Sequence, residues 1–102
     1  MGKTLKIDVM KILLITTQIT NSGGVSSIVT KKANALTGQY QCEVAIVSTN
    51  DFTDQLFFSL NPKIRCYFLK TRMKGIQDLF SFKKELALVI DQFAPDVISV
   101  SD

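Results

Sequence analysis

The chain has 102 residues, 46% of them apolar, which is enough for one small globular domain with its own core. Its net charge of +3 comes from 12 basic and 9 acidic residues scattered along the chain, so we expect no nucleic-acid partner. The chain contains no histidine, which excludes the usual serine–histidine triad and the commonest zinc ligand.

The first predicted element is a strand over Met10–Thr17, an almost continuous apolar run that is typical of a strand buried on both faces of a parallel sheet. We interpret residues 1–9 as a leader or an upstream start, and residues 10–102 as one domain. No apolar run approaches the roughly 18 residues of a membrane-spanning helix. Asp8 and Lys11 interrupt the apolar stretch of residues 1–17, and no cleavage-like site follows it, so we expect no signal peptide and a cytoplasmic protein.

A helix is predicted next, from Val25 to Gly38. Its apolar residues are spaced by three and four, which predicts one stripe facing a core. Gly38 marks the helix end. The predicted core stripe consists of Val25, Ile28, Val29, Ala33 and Leu36.

Two further strands are predicted over Cys42–Thr49 and Lys63–Lys70. The connection between them is long enough for the crossover that parallel strands require. Three of its apolar residues have helical spacing, which predicts a short crossover helix. They are Phe52, Leu56 and Leu60.

A second, longer helix is predicted from Gly75 up to Pro95, followed by a fourth strand over Asp96–Ser101. Its predicted core stripe consists of Ile76, Leu79, Phe80, Leu86, Ala87, Ile90 and Phe93. The alternation predicts an α/β domain with an open parallel sheet of about four strands in the order 3-2-1-4 and flanking helices. The fourth strand then has one open edge, so we expect a homodimer in which two fourth strands pair antiparallel.

The loop after the first strand contains adjacent glycines in the stretch NSGGVSS. Ligands of open parallel sheets bind at the carboxyl ends of the strands, where the strand order reverses. Gly23 and Gly24 would let the backbone approach a ligand closely, and the amides near Val25 to Ser27 suit a phosphate or sugar oxygen. The same glycines could serve only a tight turn from strand to helix, with Asn21 or Ser22 capping the helix, and the residues alone leave both interpretations open.

Neither common phosphate motif fits this loop. A dinucleotide-binding fingerprint needs G-x-G-x-x-G, although Asp51 stands just beyond the second strand, where that family keeps its ribose-binding acid. A Walker loop would need Gly-Lys-Ser or Gly-Lys-Thr. A flavodoxin-like flavin site stays possible.

Several other residues receive structural interpretations. Cys42 and Cys66 lack the spacing of metal or redox sites and are expected to be buried free thiols. Asp51 and Asp54 are expected to be exposed loop acids. The basic residues Lys70, Arg72 and Lys74 could face an anionic acceptor or a membrane surface, but three charges favour a solvated loop. Four aromatic residues are expected to pack in or near the core: Phe57, Phe58, Phe80 and Phe82.

Three segments together resemble a known family: MKILLITTQITNSGGVSSIVTKKANAL, CEVAIVST and FAPDVISVSD. They are similar to the N-terminal part of retaining GT-B glycosyltransferases, over about residues 10–102. The resemblance implies that this chain is part of an acceptor-side, Rossmann-like domain whose parent transfers a sugar from a nucleotide-sugar to an acceptor. It also implies that Gly23, Gly24 and Val25 contact the donor diphosphate or sugar through backbone amides, with no cofactor.

The chain also departs from this family. In the family, the segment that follows the Pro-Asp-Val sequence often carries one or two histidines. In this chain Ser99 and Ser101 occupy those places. The family's second domain, with most of its sugar-nucleotide contacts, would lie beyond Asp102. We therefore expect this chain alone to be inactive, and we predict no catalytic residue and no metal ligand. The alternative is a stand-alone, non-catalytic α/β binding module.

Overall fold

Strands and helices alternate along the chain in the computed structural model, which describes residues 9–51, 55–71 and 76–101. A 3₁₀ turn at Ile76–Asp78 leads into the second helix. In chain order the elements are β1 (Lys11–Thr16), α1 (Gly24–Gly38), β2 (Glu43–Ser48), β3 (Arg65–Phe68), α2 (Leu79–Phe93) and β4 (Val97–Ser101). Within these ranges no helix is long and apolar enough to cross a bilayer.

The four strands form one sheet in the order β3-β2-β1-β4, and every neighbouring pair is parallel. This confirms the predicted α/β fold and strand order. On β1, Ile12 is in register with Val44 of β2 on one side and with Val97 of β4 on the other. The carboxyl ends of β1, β2 and β4 therefore meet at one edge of the sheet.

An apolar layer packs against each face of the sheet over β1, β2 and β3. Ile12 and Leu14 of β1 pack in one layer with Val29 of α1, whereas Leu13 packs in the other with Phe93 of α2. Successive side chains of a strand point to opposite faces, so the continuous apolar run of β1 serves both layers. This confirms that β1 is buried on both faces.

The core face of α1 differs from the predicted stripe. Its buried residues are Ser26, Val29, Thr30 and Ala33. Val25 and Ile28 were assigned to the core, but they are 36% and 66% exposed. Two small hydroxyl residues occupy the buried stripe, and a pattern based on apolar residues alone overlooks them.

The core face of α2 is also shifted. Ile76 and Phe80 are 85% and 77% exposed, and Ala87 is exposed as well, so their assignment to the core was wrong. The residues of α2 that pack in the core have the spacing of one helical face: Phe82, Leu86, Val89, Ile90 and Phe93. Ala94, with φ of 53°, adopts a left-handed conformation and ends the helix before Pro95.

The predicted crossover helix between β2 and β3 is not present in residues 49–51 and 55–64, the described part of that connection. The amide side chain of Asn34 on α1 holds this segment instead: its Nδ2 donates to Ser59 O at 2.9 Å and its Oδ1 accepts from Asn61 N at 2.7 Å. Leu60 packs against the α1 layer, but Phe57 is 62% exposed rather than in the core. Leu56, also part of the predicted pattern, is exposed. Phe52, its third residue, lies outside the described ranges.

Candidate functional site

The loop from Thr17 to Gly23, here called the glycine loop, joins β1 to α1 at the carboxyl edge of the sheet. α1 and α2 pack on opposite faces of the sheet, and β1 lies between β2 and β4. The strand order therefore reverses between β1 and β4, at the mouth of the glycine loop. This is the position at which open parallel sheets bind their ligands.

The start of α1 presents backbone donors. The first helical hydrogen bond runs from Ser27 N to Gly23 O at 3.0 Å. Helix geometry thus leaves the N–H groups of Gly24, Val25 and Ser26 without intrahelical acceptors, at the positive end of the helix dipole. The first turn contains no acidic residue, and no side chain caps it. These donors are suited to an anion.

The tight-turn interpretation has Asn21 or Ser22 capping the helix, and that part of it was wrong. The residue at the cap position is Gly23, and it makes no side-chain capping bond. Asn21 Oδ1 instead accepts a hydrogen bond from Gly23 N at 3.0 Å, which closes a turn before the helix. The Asn21 side chain is thereby used within the loop, and the helix donors stay available.

The two glycines have different structural environments. A Cβ on Gly23 would lie 3.1 Å from Asn21 Oδ1, so the turn itself accounts for that glycine. A Cβ on Gly24 would meet nothing within 4 Å. Neither glycine has a positive φ, so backbone conformation does not require glycine at either position. Packing therefore explains Gly23 and leaves Gly24 open to a ligand.

A pocket of about 220 Å³ lies in front of these donors. Ser26 lines it and is 1% exposed, and its hydroxyl has no hydrogen-bond partner among the described residues. Buried hydroxyls are normally paired. Those of Thr16 and Thr37 are also buried without a partner among the described residues, and Ser26 is the one of the three that lines this pocket. The predicted site residues Gly23, Gly24 and Val25 all line this pocket. Its other lining residues are Thr17, Gln18, Asn21 and Ser26.

A second pocket of about 290 Å³ shares Thr17 with the first and is otherwise lined by Thr49, Asn50 and Phe82. It adds hydroxyl, amide and aromatic groups at the same edge. A third pocket, of about 410 Å³, includes Gly38 and lies at the opposite edge, where α1 ends. The free backbone groups at the C-terminal end of a helix are carbonyl oxygens, and they disfavour the binding of an anion.

Asp51 is a buried residue, 4% exposed, and the expectation of an exposed loop acid was wrong. Its Oδ2 accepts from Ile19 N at 2.9 Å and its Oδ1 accepts from Thr20 N at 3.3 Å. The hydroxyls of Thr20 and Ser48 also donate to this carboxylate. Asp51 thus fixes the glycine loop from the end of β2, and its oxygens are not directed to a ribose.

Glu85 holds the loop after β3 in a similar way. Its Oε2 accepts from Lys70 N at 2.7 Å and its Oε1 from Thr71 N at 2.9 Å. Partial burial raises the pKa of the Glu85 carboxyl, but the backbone bonds from Lys70 and Thr71, the Thr71 hydroxyl and the Lys70 charge lower that pKa overall from 4.5. Lys70 is exposed, whereas Arg72 and Lys74 of the predicted basic patch lie outside the described residues.

The thiols offer little chemistry. Cys42 and Cys66 are free and half-buried. Burial, and then the nearby charge of Asp51, raise the pKa of the Cys66 thiol from 9.0 to about 11, so it is a poor nucleophile at neutral pH. In the described ranges no three His, Cys, Asp or Glu residues come together as a metal site. Asp54 lies outside those ranges.

No model of a known protein family matches this chain, and a search of curated protein sequences finds no relative. The functional argument therefore depends on the geometry of the glycine loop and on the resemblance of the sequence segments.

Proposed function

We propose that the pocket at the start of α1 binds the diphosphate of a nucleotide-sugar, and that this chain is the acceptor-side part of a GT-B glycosyltransferase. Its parent would transfer the sugar to an acceptor. The observation that carries the proposal is the open space at Gly24, beside three free N–H groups and the unpartnered Ser26 hydroxyl. A diphosphate has negatively charged oxygens, which can serve as the acceptors that these donors lack.

The roles of the residues follow from this geometry. The N–H groups of Gly24 and Val25 would donate to phosphate oxygens, and the buried Ser26 hydroxyl would donate to another. Since the pocket of about 220 Å³ is smaller than the roughly 300 Å³ of ordinary ligand sites, the rest of the ligand would extend past Thr17 into the second pocket.

The strand order supports this proposal over a flavodoxin-like module. In flavodoxin-like sheets, strand 1 lies between strands 2 and 3. Here β3 pairs with β2, and β4 pairs with β1. Because one fold carries many functions, the argument for glycosyl transfer depends on the pocket at the start of α1 and not on the fold alone. The alternative, a binding module without chemistry, would use the same donors.

We also propose a cytoplasmic location, which the free Cys42 and Cys66 support.

The direct test is a titration of the isotope-labelled chain with UDP, GDP and ADP, followed by backbone amide NMR. We expect the largest shifts at Gly24, Val25 and Ser26, weakened by competing inorganic phosphate. Uridine, guanosine and adenosine are the matched controls without phosphate and should leave these amides unmoved. Equal shifts with the nucleosides, or shifts centred near Gly38, would contradict the proposal.

A substitution at Gly24 separates binding from folding. We expect Gly24→Val to change the free energy of unfolding by no more than about 1 kcal/mol, because the added Cβ has open space. The same side chain would obstruct the phosphate and weaken nucleotide binding about tenfold or more. Unchanged binding by this variant would assign both glycines to the turn alone.

Catalysis by this chain alone is a separate question. We expect no release of UDP from UDP-sugars above a control without protein, because the resemblance places most donor contacts in another domain. Turnover by the purified chain would refute this expectation without affecting the binding test.

A further inference from the structure

The second pocket, lined by Thr17, Thr49, Asn50 and Phe82, adjoins the pocket at the start of α1 through Thr17, which lines both. Its volume of about 290 Å³ is close to the roughly 300 Å³ at which ordinary ligand sites begin. In the proposed function the diphosphate occupies the pocket at the start of α1. The second pocket therefore receives either the sugar or the nucleoside.

The backbone around the second pocket is already hydrogen-bonded. Thr49 N donates to Thr16 O at 3.0 Å, and Asn50 N donates to Thr17 O at 2.8 Å. The side chain of Gln18 adds a third bond, from its Nε2 to Asn50 O at 3.1 Å. These bonds connect the chain beyond β1 to the chain beyond β2. The backbone that carries the lining side chains is therefore held in place before a ligand binds.

The polar side chains of the second pocket are available to a ligand. Among the described residues, the hydroxyls of Thr17 and Thr49 and the side-chain amide of Asn50 have no hydrogen-bond partner. A hydroxyl can both donate and accept, and an amide offers two donors and an acceptor. These groups suit the hydroxyls of a sugar, each of which also donates and accepts.

Phe82, near the start of α2, is the aromatic residue of the second pocket. Its side chain is half-buried and packs against the core layer that contains Leu13 and Phe93, and it also lines the pocket. A pyranose has C–H groups on the faces of its ring and hydroxyls around its rim. An aromatic side chain beside hydroxyl and amide groups matches this combination of apolar and polar surface.

The second pocket also differs in charge from a site for an ionic group. None of the described residues that line it is charged. The carboxylate of a uronic acid would lose water there without gaining a cationic partner, which is unfavourable. The pocket therefore favours an uncharged ring.

We propose that the second pocket binds the sugar of the nucleotide-sugar, and that this sugar is an uncharged pyranose. The inference rests on the proposed function, which puts the diphosphate in the neighbouring pocket. The sugar is bonded directly to the diphosphate, whereas a ribose separates the base from it. The group that lies next to the diphosphate, across Thr17, is therefore the sugar and not the base.

The first experiment uses sugars without phosphate, so it does not depend on the proposed phosphate site. The isotope-labelled full chain is titrated with the methyl α-D-pyranosides of glucose, galactose and mannose and followed by NMR. We expect at least one of them to shift the amide signals of Thr49 and Asn50 and the ring signals of Phe82, and to leave Gly24 unmoved. The methyl glycoside of glucuronic acid is the charged control and should shift these signals less.

Two results of this titration would overturn the proposal. One is the absence of shifts at Thr49, Asn50 and Phe82 with all three pyranosides. The other is a larger shift of these signals with uridine or with the glucuronide, because it would assign the pocket to a base or to a charged ring.

The second experiment separates the sugar from the rest of the nucleotide-sugar by measuring the affinity for UDP-glucose against UDP, and for GDP-mannose against GDP. Phe82→Leu should weaken the binding of the nucleotide-sugar about fivefold and leave that of the nucleotide unchanged, because it removes the aromatic ring and keeps the phosphate donors. Phe80→Leu is the matched control at an exposed phenylalanine of the same helix, and it should change neither affinity.

Asn50→Ala tests the same pocket without disturbing the core, since Asn50 is exposed and its side chain makes no bond to the described residues. It should weaken the nucleotide-sugar about threefold and leave the nucleotide unchanged. Equal effects of Phe82→Leu and Asn50→Ala on nucleotide and nucleotide-sugar would overturn the proposal. A native chain that binds neither UDP nor GDP would instead refute the phosphate site, and the titration with pyranosides would still decide whether the second pocket binds a sugar.

Discussion

The Asp51 carboxylate joins the end of β2 to the glycine loop through the backbone of Ile19 and Thr20 and the hydroxyl of Ser48. A charged acceptor this buried is stable because several donors surround it. An amide of the same size keeps only part of that acceptor capacity. The position of the glycine loop therefore depends on one side chain that lies outside it.

We expect Asp51→Asn to lower the free energy of unfolding by about 2 to 4 kcal/mol, because its Nδ2 would face donors and leave some of them unpaired. Urea unfolding measures the loss, and amide hydrogen exchange should show faster exchange at Ile19 and Thr20. Asp91→Asn, at an exposed carboxylate on α2, is the control and should change stability little. Equal losses in the two variants would contradict the role assigned to Asp51.

The sequence predicts the position of the candidate donors at the start of α1 but not the contacts that hold the loop before them. Adjacent glycines after a buried strand located the start of α1, because the requirement for a turn there is local. The environment of Asp51 depends on a contact between residues about thirty positions apart, and no local pattern encodes it. The available signal was weak: an acid directly after an apolar strand, opposite a loop with several hydroxyl groups.

At the level of elements, strand positions were predictable and helix faces were not. A parallel strand buried on both faces is apolar throughout, so its boundaries follow from composition alone. A helix buries one stripe, and exposed apolar residues such as Ile28 and Phe80 shift the apparent stripe away from the true one. Small buried residues such as Ser26 add to the error.

The corrected face of α2 gives a test with two phenylalanines on one helix. Phe93 is 1% exposed in the core, whereas Phe80 is 77% exposed. Phe93→Ala should lower the free energy of unfolding by about 3 to 5 kcal/mol, because it leaves a cavity. Phe80→Ala should change it by no more than about 0.5 kcal/mol. Similar losses in urea unfolding would restore the face predicted from the sequence.

For the molecule as a whole, the fold followed from the alternation of strands and helices and the preference for right-handed crossovers. These constraints are few and global, which is why the order β3-β2-β1-β4 was predictable. The β2–β3 connection escaped prediction because Asn34, a residue of α1, supplies its hydrogen bonds. Long-range polar contacts of this kind again have no local signal.

The stability of the whole molecule should also vary with pH in a defined way. The chain has no histidine, so we expect a flat region around neutral pH. At acidic pH, the ionised Glu85 carboxylate contributes to the stability of the fold. Its pKa is lowered from 4.5 in the folded state, so this contribution to the free energy of unfolding is complete above pH 4.5 and is lost as pH falls through the lowered pKa. Glu85→Gln should cost roughly 1 kcal/mol at neutral pH, allowing for solvent screening, and nothing in strong acid. A pH-independent difference in urea unfolding would contradict this.

In alkali the Cys66 thiol should dominate the difference between the native chain and a Cys66→Ala variant. Burial, with the charge of Asp51, raises the folded pKa from 9.0 to about 11, so the unfolded thiol ionises first. Between these two values the unfolded state binds fewer protons than the folded state, and stability therefore falls as pH rises. The decline attributable to Cys66 should reach roughly 1 to 2 kcal/mol by pH 11, after a discount for partial exposure. Cys66→Ala removes this decline, whatever its cost at neutral pH, whereas Cys42→Ala should retain it. The measurement is urea unfolding under reducing conditions from pH 7 to about 11. Parallel curves for the native chain and Cys66→Ala would show that the thiol ionises equally in both states.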